Sequence, residues 1–88
     1  MFYDYMHDIH VANKVYNLVQ ENAKTNNIEK VKKIEIDLGS IIEHGADITA
    51  ENLDFNLKML GEKAFDKNIE IKINRVDGND WKLVSISG

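Results

Sequence analysis

Lys33-Ile34-Glu35-Ile36-Asp37-Leu38-Gly39 is the stretch on which the fold turns. Apolar and charged residues alternate without a break up to Leu38, so an extended chain sends Ile34, Ile36 and Leu38 to one side and Lys33, Glu35 and Asp37 to the other. That pattern is a half-buried strand, closed by Gly39. A loop over 40–48 follows. Thr49, ahead of Glu51, opens a second helix whose apolar side is Leu53, Leu57, Met59 and Leu60, and Gly61 stops it. Ile69, Ile71 and Ile73 then alternate with Glu70, Lys72 and Asn74 as a second strand. Trp81, Leu83 and Ile86 mark a third, and the turn Asp77-Gly78-Asn79-Asp80 joins the last two strands as a hairpin.

On the N-terminal side, Met6, Ile9, Ala12, Tyr16, Val19 and Ala23 recur every three or four positions, flanked by Val11, Val15 and Leu18. This broad stripe predicts a helix over 6–22, with Asp4 or Asp8 as its N-cap and Asn26-Asn27 ending it in the left-handed conformation. The order helix-strand-helix-strand-strand is that of an α+β domain with two helices packed on one face of a three-stranded mixed sheet. The first two strands and the helix between them suit a parallel, right-handed crossover, and the third strand joins antiparallel.

The chain has 88 residues, 43% apolar and 30% charged, which is the size of one domain over 1–88. A chain this short buries roughly 60–65% of its unfolded surface, so its core is thin and its chemistry sits near the surface. It has no cysteine. Disulfides, thiolate zinc sites, iron–sulfur clusters and cysteine nucleophiles are therefore excluded, and a disulfide-free small domain fits a reducing cytoplasm. Acids outnumber bases 15 to 11, and Arg75 is the only arginine. The one basic cluster, Lys30, Lys32 and Lys33, reads as the solvated start of a strand, so no nucleic-acid partner is expected. No apolar run approaches the ~20 residues that cross a bilayer, and Met1-Phe2-Tyr3-Asp4-Tyr5 lacks the basic start of a signal peptide.

Candidate chemistry concentrates at the first helix. His7 and His10 lie three positions apart on the polar side that also carries Lys14, Asn17 and Glu21, where two imidazoles can chelate nickel, copper or zinc beside Asp8. Two histidines on such a face are more often simply solvated, and Asp8 serves equally as an N-cap. His44-Gly45-Ala46-Asp47, in the longest loop, reads first as a plain turn. Ser40, Ser85 and Ser87 sit in no nucleophile motif, no phosphate-binding glycine pattern occurs, and Trp81 reads as a packing residue. No enzymatic activity is expected.

Three segments together carry a family resemblance. Met6-His7-Asp8-Ile9-His10-Val11-Ala12, running into an amphipathic helix, resembles the Met-His-Glu start of the HypA/HybF family, nickel metallochaperones of NiFe-hydrogenase maturation. The strand from Lys30 to Gly39 is similar to that family's first strand, and Gly78-Asn79-Asp80-Trp81-Lys82-Leu83-Val84-Ser85-Ile86 to its closing strand. The resemblance implies a two-helix, three-stranded nickel-binding domain, with a hydrogenase-maturation GTPase and the hydrogenase large subunit as partners. Two departures stand out. The family's zinc ribbon, with its two cysteine pairs, is absent, since Val76-Asp77-Gly78 joins the last strands directly, and no zinc is expected. The family also binds nickel through the amine of its first methionine and the histidine after it, whereas here five residues precede Met6.

Three readings of the site follow. Met6 is the true start, and Met6 and His7 are ligands with Asp8 in place of the family's glutamate. Alternatively, His7, Asp8 and His10 form a different three-ligand site for Ni(II). In the third, metal binding is lost and the fold serves as a docking or regulatory subunit of a metalloenzyme assembly. The small sheet also leaves an edge strand through which a homodimer can form, with Lys72 and Lys82 as residues guarding that edge.

Overall fold

The computed structural model describes residues 10–43 and 46–88. Helix α1 spans His10–Thr25. Its Val11, Ala12, Val15, Val19 and Ala23 are buried, and Lys14, Asn17 and Glu21 are exposed, so the apolar stripe is the packed side. The helix ends three residues later than the sequence predicts. Asn27, at φ 57°, takes the left-handed conformation. The Ile28 amide then reaches back to the Ala23 carbonyl at 2.8 Å and that of Asn27 to Lys24 at 3.3 Å, which satisfies carbonyls the helix leaves open.

Strand β1, Val31–Leu38, follows at once. The stretch over 40–48 is not a plain loop, because Ile42–Glu43 (β2) and Ala46–Asp47 (β3) pair antiparallel as a short flap. Ile48 donates to the Ile41 carbonyl at its base. Helix α2, Ala50–Leu60, is capped by Thr49, whose hydroxyl accepts the Asn52 N–H at 3.1 Å. Gly61 ends it, though for a steric reason: its φ is −91°, and a Cβ there would lie 2.3 Å from the Phe65 ring. Two longer strands complete the chain, β4 over Phe65–Arg75 and β5 over Trp81–Ser87.

The three long strands form a mixed sheet in the order β4-β1-β5. Strand β1 is central, parallel to β4 through α2 and antiparallel to β5. The expected hairpin is therefore corrected: β4 and β5 are joined by a turn but β1 lies between them. That turn closes over the end of β1, where Val76 donates to Leu38, Gly39 to Asp80 and Ser40 to Gly78. The apolar residues of β1 have no alternative to this position, since Ile34, Ile36 and Leu38 are each fully buried and need a flank on both sides.

Both helices cover one face. In register across the sheet, Ile34 lies between Ile71 and Ile86, and Ile36 between Ile73 and Leu83. With Val15, Val19, Leu53 and Leu57 these residues make the core, and complete burial of each large aliphatic chain contributes about 1.5–3 kcal/mol. The other face is a polar checkerboard in which Lys33 pairs with Glu70, Glu35 with Lys72 and Asp37 with Asn74.

Candidate metal centre

The direction of the elements decides what surrounds the start of α1. A 16-residue helix is about 24 Å long and an 8-residue strand about 26 Å. Because α1 turns directly into β1 and packs against α2 and β5, a chain reversal of matching length brings its first turn back towards the carboxyl end of β1. The same end holds the flap, the Thr49 cap of α2 and the turn over Gly39.

Arg75 fastens that end. The alternation Ile71, Ile73, Arg75 carries its side chain to the helix side, where Nη1 donates to the Ile48 carbonyl at 3.1 Å and Nη2 to Asp47 Oδ2 at 3.3 Å. The second oxygen of Asp47 accepts the Ile41 N–H at 3.0 Å. Asp47 is thus committed to holding the flap, which answers the reading of His44 to Asp47 as added ligands for this one residue; His44 and Gly45 lie outside the described residues. The lone arginine at an apolar register position is a signal that the sequence carries.

His10 opens α1. Met6, His7, Asp8 and the His10 side chain lie outside the described residues, while Lys14, Asn17 and Glu21, with which the sequence groups the two histidines, are exposed. Among the described residues no three His, Cys, Asp or Glu converge on a metal position. Ser85 and Ser87 stand on the polar sheet face opposite Glu35 and Lys33, and Trp81 is half-buried against the core. Lys30 is fixed at the start of β1 by its bond to the Lys63 carbonyl. A second arrangement has no sequence signal: Asn74 Nδ2 donates at 3.0 Å to both Glu35 and Asp37, bridging two carboxylates on the open face.

The family model of HypA, described as hydrogenase/urease nickel incorporation metallochaperone, matches residues 6–81. The chain belongs to the HypA family. HypA proteins are nickel metallochaperones of hydrogenase maturation, in agreement with the resemblance carried by Met6-His7-Asp8, the β1 stretch and the closing strand. The fold agrees as well: the chain superposes on the solution structure of the Ni metallochaperone HypA from Helicobacter pylori with a TM-score of 0.69, at 15% identity, covering 92% of this chain and 96% of that one. No curated protein matches the chain. No helix among the described residues is long and apolar enough to cross a membrane.

Proposed function

We propose that this chain is a single-domain HypA-type carrier of Ni(II), without a zinc ribbon, that holds its cargo at the start of α1. The observation that carries the reading is the family match, which begins at residue 6 and so includes Met6, His7 and Asp8. His7 supplies an imidazole nitrogen, and the remaining donors come from Met6, or from Asp8 and His10. Nickel favours such nitrogen-rich sets, and a small number of ligands allows the fast release that transfer requires. The recipients are a hydrogenase-maturation GTPase and the hydrogenase large subunit, met in the cytoplasm.

Calorimetry of nickel into the 88-residue chain, a variant beginning at Met6, His7→Ala and His10→Ala tests this. Loss of His7 weakens binding at least about tenfold, the scale on which even outer-shell partners act. Binding that is equal in all four, or absent from all, overturns the carrier reading. The absence of cysteine favours a second reading, a docking subunit, and a stable partner retained by His7→Ala together with His10→Ala after metal stripping supports it.

A further inference from the structure

We propose that β4 is a self-pairing edge, through which two copies of this chain join antiparallel about Ile71 to make one continuous sheet. Among the described residues, strand β4 is terminal in the sheet and pairs with β1 alone. An open row of backbone N–H and C=O groups is a template for another strand unless charge, proline or a bulge guards it. Between Ile69 and Asn74 there is no proline, and the one register shift between β1 and β4 lies earlier, between the Val31 and Lys33 pairings.

The order of side chains selects the partner. Ile69-Glu70-Ile71-Lys72-Ile73 is its own complement when reversed. Centred on Ile71, a second copy sets Glu70 against Lys72 and Lys72 against Glu70, while Ile69 meets Ile73. Opposite charges directly across an antiparallel pair stabilise it and like charges oppose it. The pairing also continues the checkerboard already present, where Lys33 faces Glu70 and Glu35 faces Lys72. Lys72, read from the sequence as an edge guard, is instead matched.

The other edge behaves differently. Strand β5 has a register shift where Ser85 pairs with Glu35 and Leu83 with Ile36, leaving Val84 extra, and its one charged residue is Lys82. Both features discourage strand addition. The association through β4 is short and therefore weak and concentration-dependent.

Sedimentation velocity of the full chain from micromolar to millimolar protein reads it directly. The mass rises from 10.1 kDa towards twice that value. Glu70→Lys places lysine opposite Lys72, and Lys72→Glu places glutamate opposite Glu70, so each variant alone associates at least about tenfold more weakly. Mixed in equal amounts, the two variants set lysine against glutamate at both 70–72 pairings between the copies and dimerise again, a rescue that a folding defect cannot produce. Phe55→Asp, on the exposed α2 face that carries Phe55 at 65% and Met59 at 52% exposure, leaves the dimer intact. A wild-type chain that stays monomeric at millimolar concentration, single variants that dimerise normally, a mixture that fails to associate, or a dimer abolished by Phe55→Asp would each overturn the proposal.

Discussion

Arg75 and Asp47 are separated by 28 positions in the chain, yet Nη2 and Oδ2 meet at 3.3 Å and tie the flap to the end of β4. Both side chains are nearly half exposed, so solvent screens the charge and the contact acts chiefly by anchoring.

Arg75→Ala should accordingly cost only about 0.5–1 kcal/mol, a few degrees in Tm. Its clearer mark is local. Amide exchange at Ile41 and Ile48, whose hydrogen bonds close the flap, accelerates, while exchange at Ile34 and Ile36 in the core stays slow. Uniform acceleration at all four would show that Arg75 is a global support instead.

Gly39→Ala tests the closure over β1. A Cβ at this position would lie 2.7 Å from the carbonyl oxygens of both Gly78 and Asp80. These are backbone atoms fixed by the Gly39 and Ser40 hydrogen bonds, so the turn must move, at a cost of about 1–3 kcal/mol by urea denaturation. A native-like midpoint would mean the turn yields freely.

Thr49→Ala removes the oxygen that receives the Asn52 N–H and should destabilise the domain by about 1 kcal/mol, whereas Thr49→Ser restores most of the loss. Equal behaviour of alanine and serine would show that the methyl group, not the cap, matters.

Asn74→Asp exchanges a donor shared by Glu35 and Asp37 for a third carboxylate. Mutual repulsion lowers the denaturation midpoint at neutral pH. Added salt narrows the gap to wild type in part, because Glu35, Asp37 and Asn74 are half-buried and their charges are screened less than fully exposed ones. A gap that ignores salt would assign the loss to packing.

Much of the architecture is legible in local pattern. The two-residue period of 33–38 and 69–74 and the three-to-four-residue stripe from Val11 to Ala23 each report which side of an element is buried, and Thr49 and Asn27 announce helix ends through their own side-chain and backbone chemistry. The flap is not legible, because two residues per strand carry no period. Of the proposed metal site, the sequence supplies Met6, His7, Asp8 and His10 as candidate donors; Met6, His7, Asp8 and the His10 side chain lie outside the described residues.

The amino-acid order alone therefore determined the kinds of element, their sequence and the buried faces, since each depends on neighbours a few residues apart. Only the tertiary structure decided that β1 separates β4 from β5, that Arg75 clasps Asp47, and that Asn74 bridges Glu35 and Asp37. Those choices depend on contacts between residues 28 to 54 positions apart, from Asp47 with Arg75 to Lys33 with Ser87, where the winner is the arrangement that flanks Ile34, Ile36 and Leu38 on both sides. The turn Asp77-Gly78-Asn79-Asp80 fits either a tight hairpin or a bridge across a third strand, and burial of the central strand selects the bridge.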